Sequence, residues 1–275
     1  MEVTRITKNN IEAFQDLFPE DFVFQEDVLA FGTVSDKREG VACMLLSLHD
    51  RERVFIDWLY THPDRREMGA ASELLNTVTA FLQGMSVREV CITFPEEDGL
   101  LEFFLRDRGF LVGEVSDVYE IPIEELMYTE ESEKLLSRVK NPLPLWSLEN
   151  EGVYADLCEL LEGRGIQRDA FAEASKEFSL AEVDESGRVT GCILVKDSGD
   201  EKLEIMYLLN DEERRPGAME LLAGFYRLLE EKSLLDRKLV FADPGGHSIS
   251  LMEKLTGGDR EDFRVRGLMQ GVRVL

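Results

Sequence analysis

Residues 59–75 read LYTHPDRREMGAASELL, and this is the most informative stretch of the chain. An apolar strand pattern ends at Thr61, a charged loop follows, and helical spacing of apolar residues begins near Gly69. Backbone amides at a helix start lack partners within the helix, and the helix dipole adds partial positive charge there. Small residues at Gly69, Ala70 and Ala71 let a ligand approach the main chain closely. The stretch therefore predicts a strand, a loop and a helix start able to bind a diphosphate.

The same stretch belongs to an internal repeat. An offset of 147 residues places residues 56–60 on residues 203–207, and it brings two Glu-Leu-Leu sequences together at residues 73–75 and 220–222. A period this long is too large for a solenoid repeat. With 275 residues and about 150 residues per domain, the chain is expected to contain two related domains in tandem.

Each half shows the same order of elements. The first half predicts a helix at 11–18, strands at 29–34, 41–48 and 54–60, a helix from Gly69, a strand at 90–94, a helix capped by Asp98, and a strand at 115–121. The second half predicts a helix at 154–161, a hairpin turn at 184–188, strands at 202–209 and 238–242, and helices at 217–232 and 248–255. This order indicates an α/β fold in which a mixed sheet is flanked by helices in each domain.

A charged helical stretch followed by Asn-Pro-Leu-Pro separates the two halves, and proline disfavours continuation of a helix. We therefore expect an N-terminal domain over residues 1–125, a linker over residues 126–147, and a C-terminal domain over residues 148–275.

Composition excludes several classes of function. The formal net charge of −25 argues against a nucleic-acid surface and against binding to anionic lipid. The sequence shows neither the apolar stretch of a signal peptide nor a run of about 20 apolar residues, so a cytoplasmic location is expected. The four cysteines lack metal or redox spacing and are expected to be buried packing residues, and no metal site is expected.

The loop and helix resemble the acetyl-CoA signature of the GCN5-related N-acetyltransferases (GNAT), Arg/Gln-x-x-Gly-x-Gly/Ala. That signature appears here as Arg66-x-x-Gly69-x-Ala71. The strand end Thr61-His62-Pro63 and residues 104–110, FLRDRGF, are also similar to family segments, the latter to "FYEKLGF". The resemblance covers about residues 29–121. It implies two tandem GNAT-like domains, with acetyl-CoA as co-substrate of the first.

By this resemblance, main-chain atoms of Tyr60 and Thr61 would pair with pantetheine. The pyrophosphate would be held by the amides of Arg66, Glu67, Met68, Gly69, Ala70 and Ala71. The alternative is that the stretch is only a helix start that follows a turn. Glu67 is a departure from the expected chemistry, because a carboxylate beside a diphosphate opposes its binding.

Acetyl transfer to an amine requires removal of a proton from the ammonium group. Asp57, in the middle of the strand VFIDWLY, is our candidate base, because burial would raise its pKa. Its mate in the repeat at the 147-residue offset is Glu204. The alternative is an outward-facing acid on a half-exposed strand, and the alternation of apolar residues does not decide between the two.

The family often has a tyrosine that acts as general acid toward the departing thiolate. The corresponding positions here are Leu105 and, in the second half, Met252, and neither side chain can donate a proton. Tyr60 and Tyr119 are possible substitutes. In the second half the 147-residue offset places Pro216 at the position of Gly69, so we interpret that half as a degenerate copy.

The sequence thus predicts an N-acetyltransferase, with Asp57 as base, that acts on a primary amine of a cationic small molecule or peptide. The alternative is a non-catalytic binding or assembly protein that keeps the fold, with or without affinity for CoA. The expected partners are the amine substrate and, in a homodimer, a second copy of the chain; a monomer is equally compatible with the sequence.

Overall fold

The computed structural model describes residues 1–19, 22, 29–48, 52–138, 151–164, 166, 173–199, 201–210, 217–244 and 246–275. The chain forms two compact units, Met1–Glu114 with Leu268–Leu275, and Val115–Gly267. These units differ from the boundaries predicted by the sequence at two places. The strand after Glu114 is grouped with the second unit, and the last eight residues are grouped with the first. Residues 139–150, which include the last nine residues of the expected linker, lie outside the described residues, and its residues 126–138 are grouped with the second unit.

The first unit contains a mixed sheet. Its strands lie in the order β1-β2-β3-β4-β5-β11, and only the pair β4–β5 is parallel. The bounds are β1 (Glu2–Arg5), β2 (Leu29–Val34), β3 (Gly40–Leu48), β4 (Arg53–Thr61), β5 (Glu89–Pro95) and β11 (Arg264–Val274), of which residues 268–274 pair with β5. The predicted strands of this half are confirmed, whereas β1 has no counterpart in the prediction.

Helices cover both faces of the first sheet. On one face α1 (Ala70–Gly84) and α2 (Gly99–Asp107) bury an apolar core that includes Leu74, Leu75 and Leu105. On the other face a 3-10 helix (Ile11–Leu17) stands where the sequence predicts an α-helix, and it packs on β2 and β3 through Phe14. A second 3-10 helix, Pro63–Arg65, lies in the loop before α1. Asp98 caps α2 as predicted, since its carboxylate accepts a hydrogen bond from the Leu101 amide at 3.0 Å.

The second unit repeats this plan with strands in the order β6-β10-β9-β8-β7, in which only β9–β10 is parallel. Its strands are β6 (Leu111–Pro122), β7 (Leu180–Val183), β8 (Val189–Asp197), β9 (Lys202–Asn210) and β10 (Lys238–Asp243). Its helices are α3 (Ile123–Met127), α4 (Glu130–Arg138), α5 (Glu151–Glu162), α6 (Gly217–Glu231), α7 (His247–Thr256) and α8 (Arg260–Phe263). The core on one face takes residues from α3, α6 and α7, and α5 covers the other face. A mixed sheet flanked by helices in each half confirms the predicted fold class.

The structure contains the internal repeat, but the offset between equivalent residues is not the same in every element. Cys43 pairs with Tyr60 in the first unit, and Cys192 pairs with Leu209 in the second, so equivalent strand residues are 149 apart. The helices α1 and α6 begin 147 residues apart. The loop before α6 is therefore two residues shorter than the loop before α1, and the loop after it is two residues longer. The ungapped offset of 147 is correct for the helix and wrong for the strands on either side.

The buried thiols agree with the prediction for the cysteines. All four cysteines lie within the described residues, and they are buried and form no disulfide. Burial raises the pKa of Cys43 to about 12, and burial raises the pKa of Cys192 to about 12. These thiols are therefore protonated and act as packing groups at neutral pH. Among the described helices, none has the length and apolar composition needed to cross a membrane.

An ion-pair cluster that joins β6, β9 and β10 gives a test of this unit. Glu120 accepts hydrogen bonds from Lys202 and Lys238, each at 2.6 Å, and its side chain is only 14% exposed. These two bonds lower the pKa of the Glu120 carboxyl below its usual range. A lowered pKa stabilises the fold above the ordinary carboxyl pKa, and this contribution is lost as the pH falls through the lowered value.

We expect Glu120→Gln to reduce the free energy of unfolding by about 1 kcal/mol at pH 7. The difference between the two proteins should shrink as the pH falls below about 4, where the native carboxyl also takes up its proton. Urea unfolding at several pH values measures this. Glu204→Gln on the same cleft is the control, since Glu204 makes no ion pair with the described residues. A difference that grows on acidification would contradict the assignment.

Candidate functional site

The two parallel strands of the first sheet diverge at their carboxyl ends. The pairing between β4 and β5 ends at Ile56 and Ile92, although β4 continues to Thr61 and β5 to Pro95. The structure describes both strand ends, residues 57–61 and 93–95, and no ladder pair joins them. A wedge-shaped opening therefore lies in the sheet beyond Ile56. Asp57 is the first residue of β4 past the last pair and lies at the narrow end of this opening.

A β-bulge in β4 explains the position of Asp57. Leu45 of β3 pairs with Trp58, and the next residue, Leu46, pairs with Ile56, so Asp57 is the extra residue of β4. A bulge bends its strand and redirects the extra side chain. Asp57 is exposed, and its carboxylate accepts a hydrogen bond from the Ser47 hydroxyl at 2.9 Å. The burial expected for a base with a raised pKa is therefore wrong, and the outward-facing alternative is correct, because the bulge interrupts the alternation of the strand.

The helix that follows begins without a side-chain cap. Gly69 is the N-cap residue of α1 and has a left-handed backbone with φ of 84°. The first backbone bond of the helix runs from the Glu73 amide to the Gly69 carbonyl at 3.0 Å. The amides of Ala70, Ala71 and Ser72 therefore precede the ladder and have no acceptor within the helix. Of the six amides predicted for the pyrophosphate, those of Ala70 and Ala71 lie at this helix start, whereas the Arg66 amide donates to the Pro63 carbonyl at 3.3 Å.

The loop before this helix is exposed and strained. Residues 66–69 are all exposed, and Glu67 has a positive φ of 63°, which is costly for a residue with a side chain. A Cβ added at Gly69 would meet no atom within 4 Å, so the space in front of the helix is open. An open anion-binding surface formed by main chain is the chemistry expected here. Glu67 nevertheless places a negative charge beside it.

The predicted pantetheine contacts lie along the open edge of β4. On its other side this strand remains paired with β3, through Tyr60 with Cys43 and Thr61 with Ala42. On the side toward β5 the strand ladder ends at Ile56, before Tyr60 and Thr61 are reached. Arg66 reaches back to this edge, because its Nε donates to the Thr61 carbonyl at 3.4 Å. The carbonyl of Thr61 is therefore shared with a side chain of the loop.

One arginine near the start of α1 was not predicted as a site residue. Arg108 follows α2, and its Nη2 donates to the Ser72 hydroxyl in the first turn of α1 at 2.5 Å. Arg108 occupies the place of leucine in the motif "FYEKLGF". A cation at a position where the motif has an apolar residue is the feature of the sequence that could have indicated a binding role. The structure thus adds a positive charge beside the amides predicted to hold the diphosphate.

The general-acid positions are buried apolar residues. Leu105 is fully buried in the core of the first unit, and Met252 is buried in the core of the second. Tyr119 also lies in the second core, where burial and then the neighbouring Asp117 raise its pKa. Tyr60 stacks on Trp58 with ring centroids 5.7 Å apart. None of the four is placed as a proton donor by these contacts.

The second unit repeats the divergence of strands without the carboxylate. The pairing between β9 and β10 ends at Ile205 and Phe241, and the bulge residue of β9 is Met206. Met206, rather than Glu204, is therefore the counterpart of Asp57. The corresponding loop, residues 211–216, lies outside the described residues, and so does Pro216. The interpretation of this half as a degenerate copy stays a prediction.

A family model matches most of the first unit. Residues 4–110 match the model of the acetyltransferase (GNAT) family, and this span contains the bulge, the loop and the start of α1. No curated protein matches the chain.

Solved structures share the fold over nearly the whole chain. A tandem GNAT protein from the clavulanic acid biosynthesis pathway matches with a TM-score of 0.61 and 13% identity, covering 96% of this chain and 87% of that one. A GCN5-related N-acetyltransferase from Kribbella flavida has a TM-score of 0.62 and 15% identity, covering 100% and 71%. A probable N-acyltransferase from Enterococcus faecalis V583 has a TM-score of 0.65 and 13% identity, covering 99% and 72%. At these identities the likeness shows the fold alone, and it confirms the tandem GNAT-like architecture.

Proposed function

We propose that the first unit, which matches the GNAT family model over residues 4–110, transfers an acetyl group from acetyl-CoA to a primary amine. The observation that carries the proposal is the pairing of two features in one unit. These are the sheet that opens at Asp57 and the uncapped start of α1 beyond it. The open strand edge suits the amide-bearing pantetheine arm, and the free amides suit the pyrophosphate.

In this arrangement the thioester of acetyl-CoA reaches the narrow end of the opening, beside Asp57. The amine attacks the thioester carbon, the carbon–sulfur bond breaks, and CoA leaves as a thiolate. Asp57, or a water that it orients, takes one proton of the ammonium group before the attack, and the second proton of that nitrogen passes to water or to the departing thiolate as the amide forms. An exposed carboxylate attracts and orients a cationic amine, and the chain then works mainly by positioning the two reactants.

A cationic amine is the substrate class that the charges favour. Asp57 lies at the opening, and Glu96 and Glu97 follow the end of β5. Because β4 and β5 are parallel, their carboxyl ends lie at the same edge of the sheet. Three carboxylates beyond the last ladder pair raise the local concentration of a cation, and this effect weakens with added salt. A polyamine, an aminoglycoside and a lysine-like compound are suitable first substrates.

We expect Asp57→Asn to lower kcat/KM for the amine by about 100-fold, because the amide cannot accept a proton. The dissociation constant of acetyl-CoA should change by less than about twofold, since the carboxylate does not hold the cofactor. Thiol release during turnover and calorimetric titration measure the two quantities.

Asp36→Asn is the matched control, because Asp36 is an exposed carboxylate in the turn between β2 and β3. It should leave both values unchanged. An Asp57→Asn protein that turns over like the wild type would exclude Asp57 as base.

The buried apolar side chains at Leu105 and Met252 favour a second candidate, a GNAT-fold protein that binds CoA without catalysis. In that case acetyl-CoA should bind to the wild type, and none of the cationic amines should release thiol. The same two assays therefore separate the candidates.

A further inference from the structure

The guanidinium of Arg108 is held firmly in place. Its plane lies over the Phe104 ring, with the central carbon 4.2 Å from the ring centroid. Nη1 donates to the Asp107 carboxylate at 2.7 Å and to the Phe104 carbonyl at 3.4 Å, and Nη2 donates to the Ser72 hydroxyl. The side chain is 24% exposed. A cation fixed by four contacts loses little further freedom when it binds a ligand.

These contacts do not use all of its donors. A guanidinium carries five N–H groups. The Nε–H and the second hydrogen of Nη2 have no partner among the described residues. The ion pair with Asp107 is weak compensation for the charge, because that carboxylate is 63% exposed and is screened by water. Arg108 therefore offers two donors and a positive charge at the first turn of α1.

The cations of the loop are less firmly held than Arg108. Arg65 lies 3.7 Å from the exposed Glu39 carboxylate, and Nε of Arg66 makes a bond of 3.4 Å to the Thr61 carbonyl. Glu67 adds a negative charge at the same place. A diphosphate bound by the amides would therefore face this carboxylate. Arginine is well suited to compensate it, because its planar donors match phosphate oxygens.

Resting on the proposed function, we propose that Arg108 binds a phosphate of acyl-CoA. Ser72 sets the position, since its hydroxyl holds Nη2 and its amide is one of the free donors of α1. Arg108 is then a binding residue contributed by α2, outside the diphosphate loop.

The test compares two thioesters that differ in phosphate. Acetyl-CoA carries the diphosphate, and S-acetylpantetheine carries the same thioester arm without any phosphate. Arg108→Leu places the residue of the similar motif at this position and removes the charge. We expect the dissociation constant of acetyl-CoA to rise roughly tenfold or more, measured by calorimetry. The constant for S-acetylpantetheine, measured by ligand-detected NMR, should stay within about twofold.

Arg106→Leu is the matched control. Arg106 is on the same helix and bonds to Glu102 and to the Val112 carbonyl, away from α1. Its removal should leave the affinity for acetyl-CoA within about twofold. If Arg108→Leu does not fold, Arg108→Gln provides the same comparison with a polar side chain.

An equal loss of affinity for both thioesters would show that Arg108 only connects the two helices, and an unchanged affinity for acetyl-CoA would show that it is not a contact. Either result overturns the inference while the proposed function stands. A wild-type protein that does not bind acetyl-CoA would overturn the proposed function itself.

Discussion

Replacing Gly69 by glutamate should abolish acetyl-CoA binding, with at least a 100-fold rise in the dissociation constant. The new carboxylate would lie at the amides that hold the diphosphate, and its charge would repel the ligand. Because a Cβ at Gly69 meets no atom within 4 Å, the side chain fits without a clash. The left-handed backbone costs about 1 kcal/mol, so the variant should still fold.

Gly84→Glu is the control for this substitution. Gly84 ends the same helix, a Cβ there also meets no atom within 4 Å, and the two glycines lie about 20 Å apart. Calorimetry should show wild-type affinity for Gly84→Glu and no measurable binding for Gly69→Glu. Equal affinity in the two variants would place the cofactor elsewhere.

Removing residues 268–275 should destabilise the first unit by on the order of 5 kcal/mol. These residues form the part of β11 that pairs with β5 from Pro95 to Glu89. Met269 and Leu275 pack against the same apolar core, and Gly271 is buried against Ile92. Their loss leaves a bare strand edge and exposes this core to water.

Tryptophan fluorescence during urea unfolding measures this effect. The chain has two tryptophans, and Trp146→Phe leaves Trp58 of the first unit as the reporter. The truncated chain should unfold at a much lower urea concentration, whereas the control Val274→Thr, at a side chain 71% exposed, should not. The same argument predicts that residues 1–125 alone do not form a stable domain. An unchanged midpoint after truncation would show that β11 is dispensable.

Local patterns predicted most elements but not the long-range pairings. Apolar spacing at Leu74, Leu75, Val78 and Leu82 predicted α1, and these side chains are buried. Phe81 fits the same three- and four-residue spacing, yet it is 46% exposed. The position of β11 beside β5 depends on contacts between distant parts of the chain, which no local pattern records. The predicted boundary at residue 125 therefore did not reveal which unit each terminal strand joins.

The sequence predicted the main-chain part of the candidate site. It did not predict the side-chain positions that depend on strand register. The strand, the loop and the uncapped helix start follow directly from residues 59–75. The exposure of Asp57 depends on a bulge, which only the pairing with β3 reveals. The pairing of Glu204 with Asp57 was wrong, because the compensating loop lengths keep the helices, but not the strands, at an offset of 147. The role proposed for Arg108 was not predicted from the sequence, because it depends on the contact with Ser72.

Hydrogen–deuterium exchange with and without acetyl-CoA tests the central claim most directly, because it locates the bound cofactor on the chain. We expect acetyl-CoA to slow exchange in peptides that cover residues 57–61 and 66–72, where strand edge and helix amides would bind the ligand. Peptides that cover α5 should be unaffected. Protection confined to β9 and α6, or no protection anywhere, would contradict a cofactor site in the first unit.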